Sequence, residues 1–322
     1  MTKLAGLISL LLLTSSNLRA QLNVYYVNVG QGDATYIELP NGHNVLIDGG
    51  PAGAPIEKFL KEKGVTTIDH VLLTHPHSDH YRGLKKVFDS FSVKHFYDTK
   101  AENRDAAGDN NLRELAAAEP GCRTHFPEPG DELNFDSRVT VKVLNSCYEP
   151  VIVHNNDENN DCSLVVRFYY NGTGLLFMGD AESAIENAMT RIFKSGLKSY
   201  ALKAGHHGSR YSTTEKFLGR VQPEVAIISA GVGNSYGHPH KEAIDRLLAV
   251  GAQIFSTTNG TQTLFIPAPK KGEAPVLEGL KPYAPSPLPL TVKDVVYVPP
   301  VEAPVSVNSP ALGQLIEAVP AR

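Results

Sequence analysis

A ten-residue stretch, THPHSDHYRG at positions 74–83, constrains the fold more than anything else in this chain. It puts His75, His77, Asp79 and His80 directly after the apolar run Val71, Leu72, Leu73. A short apolar run bounded this way predicts a buried strand, and the ligand-type side chains then sit at its C-terminal end. His75 and His77, two apart on extended chain, project to the same side and can share one ion. Asp79 and His80 follow the turn and can reach a second position. Neutral imidazoles with a carboxylate suit zinc, manganese or iron, and spacing alone does not choose among these metals. A polar loop without chemistry seldom carries so many ligand residues together.

Three further clusters follow downstream. In GLLFMGDAE, Asp180 comes after an apolar strand and a glycine, at the start of a helix. A helix cap explains such a carboxylate by itself; beside a histidine cluster, a carboxylate bridging two ions explains it better. In LKAGHHGSRYS, His206 and His207 are adjacent. Neighbours on extended chain point opposite ways, so one ligates and the other is free to donate a proton or hold substrate. Lys203, Ser209 and Arg210 are expected to steady an anionic group. In GNSYGHPH, His238 and His240 precede a helix, where a substrate role and a plain loop role are equally consistent. His43, His70, His95, His125 and His154 lie outside any such cluster and read as ordinary.

Strand patterns dominate from residue 22, with helical spacing at IEKFLKEKG, YRGLKKVFDSF, NLRELAAAE, AESAIENAMTRIFKSG, TTEKFLGRV and HKEAIDRLLAVG. The alternation predicts an α/β chain with sheets packed on each other and helices outside. QIFSTTNGTQTLFI reads as a closing hairpin. Asn171-Gly172 and Asn259-Gly260 read as turns; each begins an Asn-Gly-Thr sequon, which turn chemistry explains without glycosylation.

Residues 1–20 have the form of an export signal, with Lys3, an apolar core over 4–13 and a small residue at Ala20. A secreted or periplasmic location follows as an expectation, without a stable membrane span. The hydrolytic domain is expected over 21–266. Residues 267–322 hold 12 of the chain's 22 prolines and read as an extended tail. The net charge of −4 gives no support to binding driven by phosphate charge alone. Three cysteines leave at least one thiol unpaired within the chain; Cys122–Cys147 is one pairing, but the spacing does not select it.

The segments VNVGQGDATYIEL, VLIDGG, THPHSDH, SLVVRFYYNGTGLLFMGDAE, LKAGHHGS and YGHPH, in this order over about residues 22–266, resemble the metallo-β-lactamase superfamily, and within it the hydrolase domain of ComEC-like competence proteins. The resemblance implies a four-layer αββα sandwich with a centre for two divalent ions, zinc or else manganese or iron, at one edge of the sheets. It assigns His75 and His77 to one ion, Asp79 and His80 to the other, and Asp180 to both. His206 is taken as the last ligand, leaving His207 as proton donor, with Asp48 behind the loop. The usual additional histidine of the first ion is absent; NNDCSLVV stands in that region, with Asp161 or Ser163 nearby. Arg82 stands where the branch commonly has glycine.

Two ions lower the pKa of water from near 16 to about 7 and make a hydroxide nucleophile at neutral pH. Asp79 is expected to orient that nucleophile, and Lys203, Ser209 and His238 to meet the substrate. The expected substrate is a small-molecule or nucleic-acid phosphoester. Two other readings remain open at this point: hydrolysis of lactone- or thioester-type carbonyls, and an inactive binding protein on the same fold.

Overall fold

The computed structural model describes residues 21–100, 110–147 and 156–268. The expected export signal, His154 and nearly all of the proline-rich tail lie outside the described residues. Two sheets form the middle of the molecule. The first orders its seven strands β13-β1-β2-β3-β4-β5-β6. These are β1 (Leu22–Tyr26), β2 (Thr35–Glu38), β3 (Asn44–Ile47), β4 (Thr67–Leu72), β5 (Ser92–Tyr97), β6 (Arg123–His125) and β13 (Gln262–Ile266). The second orders six strands β12-β11-β10-β9-β8-β7. They are β7 (Thr140–Asn145), β8 (Val165–Tyr170), β9 (Thr173–Phe177), β10 (Ala201–Lys203), β11 (Val225–Ile228) and β12 (Gln253–Ser256).

Side-chain alternation assigns each face. In β1, Leu22, Val24 and Tyr26 point between the sheets, where they meet Phe168, Phe177, Val225 and Ile227 of the second sheet. Tyr25 points the other way, into a layer with Ile56 and Leu60 of α1 (Ile56–Glu62), Leu84 and Val87 of α2 (Ser78–Ser90), and Leu112 and Ala116 of α3 (Asn110–Ala118). The outer face of the second sheet packs Leu176, Leu202 and Ala226 against Met189 of α5 (Ser183–Ile192), Phe217 and Leu218 of α6 (Glu215–Val221) and Leu247 of α7 (Lys241–Ala249). A short helix, α4 (Asn156–Asp161), precedes β8. The result is helices, sheet, sheet, helices. Each fully buried aliphatic or aromatic side chain contributes about 1.5–3 kcal/mol, so the inner layer alone outweighs any single polar contact.

One expectation is corrected here, and the cysteine pairing left open by the sequence is resolved. QIFSTTNGTQTLFI is not a hairpin: β12 runs parallel to β11 in the second sheet, whereas β13 runs antiparallel to β1 in the first. The 3-10 turn Thr257–Asn259 and Gly260 carry the chain across instead. Local turn chemistry is the same in both cases, and burial on two different sheets decides. The bridge forms between Cys147 and Cys162, not Cys122 and Cys147; Cys122 is free and half-buried. It ties the end of β7 to the segment that enters β8. Asn171-Gly172, by contrast, forms the expected turn between β8 and β9, with positive φ at both residues (47° and 78°).

The histidines read as ordinary do not scatter either. His70 on β4 stacks on His95 of β5 with ring centres 5.2 Å apart, and on Phe135 at 4.0 Å. His95 Nδ1 lies 3.0 Å from His125 Nε2 on β6, and His43 lies 6.3 Å from His70. Parallel pairing of β4, β5 and β6 aligns positions 25–30 residues apart, which no local pattern reveals.

Candidate metal centre

The strands β3, β4, β9, β10 and β11 end on the same side, and their following loops converge. This is where an α/β sheet presents ligand groups. After β4, His75 and His77 continue the extended chain, His77 stands at the N-cap of α2, and Asp79 and His80 occupy its first turn. Asp180 lies between β9 and α5. Glu182, not Asp180, is the N-cap of α5. Asp180 is therefore free of the capping role, and its carboxylate turns inward.

The distances are short. Asp180 Oδ2 lies 3.6 Å from His75 Nε2, 3.3 Å from His80 Nε2 and 3.4 Å from His207 Nε2. His207 Nε2 is 3.3 Å from Asp79 Oδ2. His75 Nε2 and His77 Nδ1 are 2.9 Å apart. Two sets of donor atoms come within 4.8 Å of one another: Asp33, His80, Asp180 and His207, and His75, His77 and Asp180. Asp180 belongs to both.

The backs of the imidazoles show what the fronts face. His80 Nδ1 donates to Asp48 Oδ2 at 2.8 Å, while Asp48 accepts from the Thr74 amide and hydroxyl at 2.8 and 2.7 Å. His207 Nδ1 donates to the Ser229 carbonyl at 3.0 Å and faces Asp33 Oδ1 at 3.4 Å. With Nδ1 carrying the proton, each Nε2 is left as a lone pair aimed at a carboxylate. His77 Nε2, His80 Nε2, His207 Nε2 and Asp180 Oδ1 are buried without a hydrogen-bond partner. Lone pairs facing carboxylate oxygens repel unless positive charge lies between them, so the donor set fits divalent cations.

The protonation tendencies express the same demand. Burial opposes charge on His80, yet Asp180 and Asp48 outweigh it and hold its pKa well above the ordinary value. For His207, Asp180 and Asp33 do the same against burial. Burial favours the neutral carboxyl of Asp180, but His207, His80, His206 and His75 pull its pKa well below the usual range. His75 is driven well down, by burial and then by His80. Lys203 alone does not balance the buried carboxylates of Asp33, Asp48 and Asp180; protons on His80 and His207, or cations bound in their place, do.

Several expected roles change. His206 is not in either donor set; His207 is. His206 lies 3.9 Å from Asp180 on the solvent side, with Nδ1 held by Glu182 at 2.6 Å. Both residues have left-handed backbone, φ 45° and 54°. The rule that neighbours on extended chain alternate therefore does not apply. Lys203 is buried and paired with Asp33 at 2.7 Å, and is not free to meet substrate. Ser209 is buried as well, its Oγ accepting from the Tyr211 amide at 3.2 Å. Asp79 lies beside His207 at the edge of the centre, 25% exposed. His238 stands next to the centre, its ring 5.2 Å from His206 and 6.0 Å from His207. Ser163, in the region without the usual histidine, is buried and accepts from the Asp180 amide at 2.9 Å. Arg82 is exposed, and Arg210 is 3.4 Å from Glu242.

Asp33 is the residue that sequence reasoning missed. The signal was a lysine inside the buried strand SYALKAG, since a charge there requires a counter-ion.

With this fold and this donor set, comparison with known proteins gives the class. The metallo-beta-lactamase superfamily model matches residues 27–232, and the chain belongs to that superfamily. Within it, the chain is similar to ComEC-like competence proteins. It is 29% identical over 264 residues to ComE operon protein 3 of Bacillus subtilis, covering 76% of this chain and 33% of that protein. It is 28% identical over 233 residues to competence protein ComA of Neisseria gonorrhoeae, covering 71% and 30%. The chain thus spans about a third of the length of these relatives. Among solved structures, the metallo-beta-lactamase fold protein YhfI from Bacillus subtilis superposes with a TM-score of 0.51 at 12% identity, covering 76% of this chain and 99% of that one. That likeness concerns the fold.

Proposed function

We propose that this protein hydrolyses phosphodiester or phosphomonoester bonds with the help of two divalent ions, zinc or else manganese or iron, and that nucleic acid ends are among its substrates. The observation that carries the reading is the pair of back-pinned imidazoles, His80 and His207, whose free Nε2 atoms face Asp180 at 3.3 and 3.4 Å. His75 and His77 would hold one ion, His80 and His207 the other, with Asp180 common to both. Ions bound there supply Lewis acidity and a water acidic enough to attack at neutral pH.

The chain's own residues do the rest. Asp48 and Ser229 hold His80 and His207 in the tautomer that leaves Nε2 free. Asp33, neutralised by Lys203, stands behind His207. Asp79 reaches the same space from the first turn of α2 and orients the attacking group. His206, fixed by Glu182 on the solvent side, is placed to protonate the departing oxygen. With Lys203 and Ser209 turned inward, His206 and His238, whose rings lie 5.2 Å apart beside the centre, meet the oxygens of a phosphoester. The ComEC-like relatives support the phosphoester class over carbonyl substrates. The apolar segment at residues 4–13 and the Cys147–Cys162 bridge support export to an oxidising compartment.

Purified protein is assayed for metal, then offered bis-p-nitrophenyl phosphate, single-stranded DNA and a lactone panel. Phosphodiester turnover that chelator removes, added metal restores and Asp180→Ala abolishes is the expected result. Turnover of lactones alone moves the function to carbonyl substrates, and metal-free, inert protein overturns both.

A further inference from the structure

Three large apolar side chains that the fold leaves in water gather on the loops around the centre: Tyr211, Tyr236 and Val232, 62%, 64% and 84% exposed. Tyr211 follows the His206–Arg210 turn. Val232 and Tyr236 lie on the loop between β11 and α7 that carries His238. Buried packing does not account for them, and apolar surface collected at the mouth of a polar centre marks a ligand face.

That face is held in place. Asn234 Nδ2 donates to the carbonyls of Gly231 and His238 at 2.9 and 2.6 Å, and its Oδ1 accepts from the amides of Tyr236 and His238 at 3.2 and 3.0 Å. The Tyr236 ring lies nearly parallel to His238, 19° apart in plane with centres at 5.8 Å. His238 in turn meets His206 edge-on at 5.2 Å. A series of rings therefore runs from solvent to within one residue of Asp180. On the other flank, the Arg210 amide donates to His240 Nδ1 at 3.0 Å, and the Tyr211 carbonyl accepts from the Ser183 amide at 3.0 Å. These bonds fix the backbone of Tyr211 between His240 and the start of α5.

We infer that Tyr236 is a stacking platform for a planar aromatic group of the substrate, the base of a nucleotide whose phosphoester reaches Asp180. The inference rests on the phosphoester reading and deepens it. An exposed tyrosine held by backbone contacts stacks a base without first being ordered, and stacking tolerates any base because each has a flat face. A free nucleotide ester and the end of a strand present the same chemistry.

The test compares a thymidine dinucleotide with its abasic counterpart, which has the same phosphodiester and charge but no bases. A thymidine 12-mer is included to separate strand ends from short esters. Binding is measured calorimetrically in chelator, and turnover with metal added. The expected result is a Kd and KM lower by on the order of 10-fold for the base-bearing compound. Tyr236→Ala brings the two compounds together and Tyr236→Phe keeps them apart. Equal Kd values for the two compounds in the unaltered protein, or a preference that survives Tyr236→Ala, overturns the platform. A binding preference without turnover overturns the phosphoester reading and leaves the platform standing. Turnover of both compounds without preference does the reverse. A preference seen only with the 12-mer overturns the platform as stated, since a dinucleotide already presents a base.

Discussion

Asp48 and Lys203 never touch a reacting atom in this arrangement, yet the centre depends on both. Asp48 holds the proton side of His80, and Asp48→Asn keeps the shape while weakening the acceptor. Metal content after dialysis is expected to show affinity lower by about 10- to 100-fold, with little change in melting temperature. Lys203→Met removes the cation at 2.7 Å from buried Asp33 and leaves it facing His207 at 3.4 Å, at a cost of about 3–5 kcal/mol in denaturant unfolding. Adding Asp33→Asn recovers much of that loss. If the single and double variants are equally unstable, the pair is not coupled. At this scale the sequence was legible where chemistry is crowded: His75, His77, His80 and Asp180 announce themselves by type and spacing. Asp33 does not, because its partners lie about 50 to 170 residues away, and only the charge in an apolar strand points to it. Which of His206 and His207 faces the other donor atoms was illegible, because it turns on two left-handed residues that tertiary packing imposes.

Helix α2 reaches the centre because it lies unusually close to the β3 turn. The Gly49 amide donates to the His80 carbonyl at 2.8 Å and the Gly83 amide to the Gly50 carbonyl at 2.9 Å. A methyl group at position 83 would overlap the Gly49 carbonyl, so the helix and the loop carrying Asp48 would have to separate. Gly83→Ala is expected to cost about 1–3 kcal/mol in denaturant unfolding and to lower metal affinity along with it. An alanine that costs stability but leaves metal content unchanged would show that the two elements move as one body. Strands and helices were largely readable from periodicity, since burial alternates as the pattern requires. The closing hairpin failed because Asn-Gly reports a local turn and says nothing about which sheet receives the next strand.

Acid stability belongs to the molecule as a whole, through the histidines of the first sheet. Burial, and then the neighbouring His95, drives the His70 pKa down to about 3 from 6.5. Asp69 opposes the shift, His43 and His125 add to it, and the hydroxyl of Tyr97 lies 3.2 Å from His70 Nδ1. The folded protein keeps His70 neutral while the unfolded chain binds a proton. Stability is therefore fully present above pH 6.5 and is lost as pH falls toward 3, on the order of 5 kcal/mol from this residue at the lower limit. Unfolding free energies at pH 7, 5 and 4 measure it. His70→Phe, which keeps the stack on Phe135, is expected to flatten the dependence, and an unchanged slope would assign it to other groups.

The pairing of β1 with β13 sets Leu22 opposite Ile266, at the end of both strands remote from the loop that carries Asp33. The polypeptide thus enters and leaves the sandwich at one corner, with the donor cluster facing away. The first and last strands of the described residues close on each other away from the loops that carry the donor atoms. Fusing residue 266 back to residue 22 through a short glycine spacer, and cutting instead within an exposed turn such as Asn41-Gly42, should leave the architecture intact.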